Sequence, residues 1–329
     1  MPLASLPGPP SGQWHLGPVS VHGYALCVAL GVLAAVLLAE RRYRAGGGHP
    51  WLVLDLATIA VPAGLAGARL YRVVTDYQRY FGHNRDWVNI LRIWDGGLGL
   101  PGAAAAGLAV TLIWCRRSGT GAGPVLSAVV PGLALGQAIA VLGNWFSQSL
   151  YGPPSGLPWA VEIAPRSRVP GYQGFGSFQP LFLYESVWDI LVALALVRLI
   201  RARRLTGRQA LAVLAALYAI GRLGTMSFSL TAPPHSGVLT GQVAAIALVV
   251  AAAVYLYLTR SERGPEPLTM PLTMPAARPR WVRRAAGATV SAEQPSADPV
   301  AMSAAREAQR GDEKAQRGDE KVSGRGASR

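Results

Sequence analysis

The chain has 329 residues, 51% of them hydrophobic, with a mean hydropathy of +0.28 and a formal net charge of +14. A water-soluble domain does not combine that average with a polar C-terminal stretch of about seventy residues, so the apolar residues must be gathered into membrane-crossing lengths. The charge does not indicate nucleic acid, because the arginines stand at the ends of apolar runs or in a mixed-charge tail; anionic lipid headgroups suit that distribution.

Apolar runs of about twenty residues, enough to cross a ~30 Å hydrocarbon core, are expected at 19–39, 50–72, 93–115, 124–146, 179–200, 208–229 and 238–259. The fold class is therefore an all-α polytopic membrane protein with seven spans over residues 1–260. Arg41, Arg42 and Arg44 follow span 1, Arg116 and Arg117 span 3, Arg201, Arg203, Arg204 and Arg208 span 5, and Arg260 and Arg263 span 7. The alternate loops are poorer in arginine for their length. By the positive-inside rule the N-terminus faces out and the C-terminus faces the cytoplasm. Residues 1–18 contain no Lys or Arg, so no charged signal-peptide n-region is present and span 1 is expected to be retained. Two lysines against 29 arginines, with abundant Ala and Gly, point to a GC-rich bacterial genome.

The loop 147–178 is the longest between spans and is rich in Pro and Gly; it is a candidate lid or substrate-facing arm. From residue 261 the chain turns to Pro, Gly, Ser and mixed charge, with a tandem Ala308–Lys314 and Ala315–Lys321 repeat. Such a segment cannot bury a core and is expected to be a disordered cytoplasmic tail, 261–329. Cys27 and Cys115 fall inside apolar spans and are read as small hydrophobes. The His and Cys spacings imply no metal site, and no phosphate-cradling loop or cofactor motif is present.

Polar groups inside membrane spans are costly and therefore candidates for function. Arg222 lies deep in span 6 and needs an anion, for which Glu185 of span 5 or a lipid phosphate would serve. Arg69 ends span 2, where snorkelling to the interface is its plain reading. Asn144 and Gln137 are spaced to share one side of a helix. Tyr24 and His22 open span 1, Tyr184 and Glu185 open span 5, Gln242 follows Gly241 in span 7, and Gly96 and Gly97 follow Asp95 where span 3 begins. Paired glycines permit a bend or a close approach to a headgroup.

The stretch Ala140 to Gly152 resembles the signature G-R-x-G-N-F-x-N-x-E-x-x-G of bacterial prolipoprotein diacylglyceryl transferases, with Gly143, Asn144 and Gly152 in frame. The resemblance continues in order over about residues 17–258. It takes in Val21-His22-Gly23-Tyr24, Gly67-Ala68-Arg69-Leu70-Tyr71 and Arg92 to Leu98, then Leu157-Pro158-Trp159-Ala160, Phe182 to Glu185, Tyr218 to Arg222 and Gly241-Gln242. The first three look most like actinobacterial members. The resemblance implies a plasma-membrane enzyme that moves a diacylglyceryl group from phosphatidylglycerol to the lipobox cysteine in a prolipoprotein signal peptide, releasing glycerol phosphate. It implies Tyr24, Asn144 and Arg222 as catalytic residues, and Arg69, Gly96, Gly97, Gly152, Tyr184, Glu185 and Gln242 as substrate-binding residues.

This sequence departs from the family pattern at charged positions. The signature arginine is Val141 and the signature glutamate Ser149; a common histidine is Pro101, another is Gln179, and a span 6 glutamate and arginine are Met226 and Ser229. Removing one group that stabilises developing charge costs about 3 kcal/mol, roughly a hundredfold in rate. The resemblance thus carries a second reading, a paralogue that binds lipid or prolipoprotein without turnover. An unrelated transporter would call for an internal repeat between chain halves, and the sequence has none.

Overall fold

The computed structural model describes residues 6–9, 12–16, 19–77, 99–202, 204–231 and 235–261. The chain divides into two units, Met1–Leu272 and Thr273–Arg329, and every described residue belongs to the first. A short ribbon, β1 (Gln13–Leu16) paired antiparallel with β2 (Val19–His22), leads directly into α1 (Gly23–Ala45). There follow α2 (Leu52–Thr75), α3 (Leu100–Ser118), α4 (Ala122–Val141) and a single turn, α5 (Asn144–Ser147). Beyond a second two-stranded ribbon, β3 (Val161–Glu162) with β4 (Ser177–Phe178), come α6 (Leu181–Arg201), α7 (Gly207–Phe228) and α8 (His235–Leu258).

The described residues are thus mainly helical, and five segments among them are long and apolar enough to cross a membrane: Gly23–Ala45, Leu52–Thr75, Ala122–Ser147, Gly207–Phe228 and Gly241–Leu258. The all-α expectation is amended by the two ribbons, both outside the long helices. Of the third span, expected from residue 93, the described helix is Leu100–Ser118, with Pro101 in its first turn, and residues 93–98 lie outside the described residues. Proline is tolerated there because its missing N–H would have no intrahelical partner anyway. The fourth, expected to reach 146, ends at Val141 and resumes as the separate turn α5. Asp95, Gly96 and Gly97 lie outside the described residues, as does the expected tail apart from Ser261.

Helix α4 is the central element. It packs along α1 on one side and against α6 and α7 on the other, while α2 packs on α3 and α8 on α7. Small residues make the α1–α4 seam close. A Cβ on Gly132 would lie 2.6 Å from the Ala35 carbonyl oxygen, and one on Gly136 2.8 Å from that of Gly31. Lipid offers no hydrophobic drive for helix association, so such backbone proximity and interhelical hydrogen bonds hold the bundle. Ser186 Oγ donates to Ala138 O at 2.9 Å, and Trp188 Nε1 to Leu217 O at 3.0 Å, tying α6 to α4 and to α7. Pro62 and Pro131 sit inside α2 and α4 without ending them, as packed membrane helices allow.

The two ends of the bundle differ. At one, α1 and α6 begin and α4 and α7 finish. At the other, Glu40 of α1 accepts from Trp51 N at 2.7 Å and Val53 N at 3.2 Å, so a carboxylate from α1 caps α2. There too Thr206 and Gln209 form a capping box that starts α7, and Gln209 Nε2 donates to Thr259 O at the end of α8. Arg42, Arg44, Arg116, Arg117, Arg198 and Arg201 stand in the last turns of α1, α3 and α6, where cations meet the negative ends of helix dipoles.

Candidate functional site

The arginine-poor end holds a cavity of about 330 Å³, lined in part by Tyr24, Asn144, Ser149, Glu185 and Arg222. Its wall begins where α4 stops. Past Val141 the chain breaks at Leu142-Gly143, and a Cβ on Gly143 would come within 3.0 Å of Tyr24 Cα and of the Ala140 carbonyl oxygen. A glycine lets the break sit close against the start of α1. Asn144 Nδ2 then donates back to Val141 O at 2.8 Å, and Ser149 Oγ donates to Asn144 Oδ1 at 2.8 Å. Ser147 and Ser149 share a hydroxyl–hydroxyl bond of 2.7 Å. Gln148 has φ 49°, a left-handed backbone that turns the chain between them, and its Oε1 accepts from Ala164 N. Thr231, past α7, closes the ring by donating to Ser149 O.

The floor is charged. Arg222 Nη1 lies 3.3 Å from Glu185 Oε2 and 3.5 Å from Oε1, joining α7 to α6. The Glu185 side chain is 3% exposed while that of Arg222 is 35% exposed, so the guanidinium opens to the cavity above a sealed carboxylate. Pairing is what makes a buried charge tolerable in an apolar bundle. One turn deeper on α6, Asp189 is 4% exposed and its Oδ2 has no hydrogen-bond partner.

Beyond Ser149 and Leu150, which line the cavity, the segment 147–178 is an ordered arm. Tyr151, Val161, Ile163, Phe178 and Phe182 form its own buried cluster. Tyr151 is 1% exposed; its hydroxyl donates to Ser167 O at 2.7 Å and accepts from Val169 N at 2.9 Å. The N-terminal segment joins this arm through Leu6 N to Ala160 O at 2.7 Å and Glu162 N to Leu6 O at 3.0 Å.

Comparison with known proteins bears directly on this end of the bundle. The family profile of prolipoprotein diacylglyceryl transferase matches residues 12–258. The chain is 49% identical over 224 residues to phosphatidylglycerol–prolipoprotein diacylglyceryl transferase 1 of Streptomyces coelicolor, covering 68% of this chain and 64% of that protein, just under two thirds of its length. It is 41% identical over 275 residues to the transferase of Streptomyces avermitilis, covering 82% and 79%, and 38% identical over 261 residues to that of Cutibacterium acnes, covering 79% and 88%. The chain belongs to the prolipoprotein diacylglyceryl transferase family.

In this family member the cavity gathers Tyr24, Asn144, Glu185 and Arg222 of the expected residues, with Gln137 two turns before the α4 break. Val141 and Ser149 line it too, at the positions where the signature carries charge. Other expected residues stand elsewhere. Gly152 is a packing glycine, whose Cβ would sit 3.3 Å from both Leu181 and the Phe228 carbonyl. Tyr184 is outside the cavity lining, and its hydroxyl accepts from Trp159 Nε1 at 2.9 Å. Arg69 is 8% exposed within the protein on α2, not snorkelling to the interface, and does not line the cavity. Gln242, on α8, is half-buried away from it.

Two lining residues carried little signal in the sequence. Thr225 and Thr231 add hydroxyls beside Ser229 at the end of α7 and beyond, in a stretch whose polarity reads simply as the close of a span. Asp189 was missed as well, although a second acid four residues after Glu185 inside an apolar run is a spacing that stacks both on one helix face.

Proposed function

We propose that the protein transfers the diacylglyceryl group of phosphatidylglycerol to the lipobox cysteine thiol of prolipoproteins, at the outer side of a bacterial plasma membrane. The observation that carries this reading is the Arg222 guanidinium, open to a cavity built by the signature segment of a diacylglyceryl transferase family member. In the reaction the cysteine sulfur bonds to the terminal glycerol carbon, the carbon–oxygen bond to phosphate breaks, and glycerol phosphate leaves with the bonding electron pair while the thiol proton passes to the departing phosphate. A preorganised cation at the leaving phosphate stabilises that charge as it develops; Arg222 has this role, and Tyr24 and Asn144 border the reacting headgroup. Of the remaining expected residues, Glu185 supports the substrate site by holding Arg222, and Gly152 and Tyr184 position the arm beside it, while Arg69 and Gln242 lie off the cavity and Gly96 and Gly97 outside the described residues.

The membrane arrangement belongs to the same proposal. Residues 1–260 cross seven times with the N-terminus outside, and 261–329 lie in the cytoplasm. The arginines at the end opposite the cavity support this orientation.

Val141 and Ser149 in the cavity wall favour a second reading, a relative that binds lipid or prolipoprotein without turnover. Rescue of a strain depleted of its sole diacylglyceryl transferase separates the two. The first reading expects growth and lipid-modified prolipoprotein, both lost with Arg222→Ala. Correctly inserted protein that gives no rescue, and no label transfer from phosphatidylglycerol to a lipobox peptide, leaves the second.

A further inference from the structure

We infer that Ser229, Thr231 and Ser149 form an acceptor array that selects the glycerol headgroup of phosphatidylglycerol by its hydroxyls. The inference rests on the reading of this cavity as a lipid headgroup site and names the residues that tell one headgroup from another there. All three residues line the cavity, and their hydrogen bonds have a direction that follows from the atoms involved. Asn144 Nδ2 donates to the Val141 carbonyl, so Oδ1 faces Ser149 and accepts from it. Ser149 Oγ has then spent its hydrogen, and in its 2.7 Å contact with Ser147 the donor is Ser147. Thr231 likewise gives its hydrogen to the Ser149 carbonyl, so in its 3.0 Å contact with Ser229 the donor is Ser229.

Every hydroxyl hydrogen of this chain of contacts is thus committed within the protein. What remains for a ligand is lone pairs, on Ser229 Oγ above all and on Thr231 Oγ1 and Ser149 Oγ. A wall of acceptors takes a donor. Phosphodiester oxygens have no hydrogen to give, so the phosphate goes to Arg222, whose guanidinium opens to the same cavity. The hydroxyls of a glycerol headgroup can donate to the array. An ammonium would need an open carboxylate to offset its loss of water. Glu185, the acid among the described lining residues, is 3% exposed and held by Arg222. Ser229 and Ser149 stand where the family pattern carries an arginine and a glutamate, so this chain meets the headgroup there with neutral oxygens. Water occupies such acceptors when no ligand does, which makes the gain an exchange of moderate size.

The test compares dihexanoyl-phosphatidylglycerol with dihexanoyl-phosphatidylpropanol, whose headgroup has the same charge and length without hydroxyls. Both are titrated onto the full chain in non-ionic detergent under native mass spectrometry. Wild type should bind the glycerol lipid about tenfold more tightly. Ser229→Ala and, independently, Thr231→Val should each shrink that ratio to about threefold or less by weakening the glycerol lipid alone. Arg222→Ala should weaken both lipids and leave the ratio, because it removes the partner of the phosphate they share. Equal wild-type affinities would overturn the inference whether or not the variants fold. A ratio that persists in both folded variants would overturn it as well, as would tighter wild-type binding of dihexanoyl-phosphatidylethanolamine than of the glycerol lipid. Label transfer to a lipobox peptide separates the inference from the proposed function. Transfer from both lipids at equal affinity removes the inference and leaves the function standing. A glycerol preference in binding with transfer from neither lipid does the opposite.

Discussion

Asn144 and Ser149 are joined side chain to side chain, with Ser149 Oγ donating to Asn144 Oδ1 at 2.8 Å while Asn144 Nδ2 donates to the Val141 carbonyl at 2.8 Å. Residues 141, 144 and 149 of the signature thus form one neutral, hydrogen-bonded unit at the end of α4. The Asn144 amide is committed to a hydroxyl and a helix terminus.

Restoring charge to that unit should raise transfer. Val141→Arg with Ser149→Glu places an arginine at the cavity wall and a carboxylate within reach of it, a charge-assisted pair. Turnover of labelled phosphatidylglycerol should rise about a hundredfold over wild type. Arg222→Ala should lower turnover by a similar factor in both backgrounds, measured on purified protein. Wild-type turnover insensitive to Arg222→Ala would place the chemistry elsewhere.

At the opposite end, Glu40 should matter for stability and not for catalysis. Its buried carboxylate holds Trp51 N and Val53 N. Glu40→Ala leaves two backbone donors at the start of α2 unsatisfied, at about 1–3 kcal/mol. Glu40→Gln keeps an acceptor and should recover part of the loss. Thermal unfolding in detergent measures both variants, and an Ala variant as stable as wild type would exclude the cap.

Tyr151→Phe should loosen the arm. It removes the hydroxyl that bridges Ser167 O and Val169 N, again at about 1–3 kcal/mol. Hydrogen exchange at residues 160–178 should accelerate while exchange in α4 and α6 stays unchanged. Burial pushes the Tyr151 phenol above its ordinary range, with the Val169 backbone bond and Arg168 opposing the shift. The neutral phenol is therefore favoured in the folded arm. Its stabilisation is full below the ordinary tyrosine range near pH ~10 and is lost as pH rises through the folded value.

A larger side chain at the α1–α4 seam should prevent assembly of the bundle. Gly132→Leu drives a side chain into the Ala35 backbone, which cannot yield as a flexible side chain would. Size-exclusion chromatography of a fluorescent fusion should show loss of the monodisperse peak, whereas Gly107→Ala, with open space around it, should leave the peak intact.

Reporter fusions test the orientation. Those after Arg117 and Arg204 should read cytoplasmic and those within 153–170 external. A cytoplasmic signal from the 153–170 arm would put the cavity on the other side of the membrane.

The sequence by itself determined the helical membrane class, the position of most long helices within a few residues, and the family, because apolar run length and the ordered motif series are properties of the chain alone. It also required an anion for Arg222, with Glu185 or a lipid phosphate as the candidates, since a cation deep in an apolar span needs a partner; the structure supplies Glu185. What it did not contain was register between segments. That Val141, Ser149 and Thr231 meet one cavity, while Tyr184 and Gln242 turn away, depends on the rotation of packed helices and on the break at Leu142-Gly143. The capping of α2 by Glu40 joins residues 11 and 13 apart across a loop. Such contacts arise from close backbone packing between helices. The small residues that permit this packing, such as Gly31, Gly132 and Gly136, are alike in sequence, and only the tertiary structure tells which neighbour each one meets.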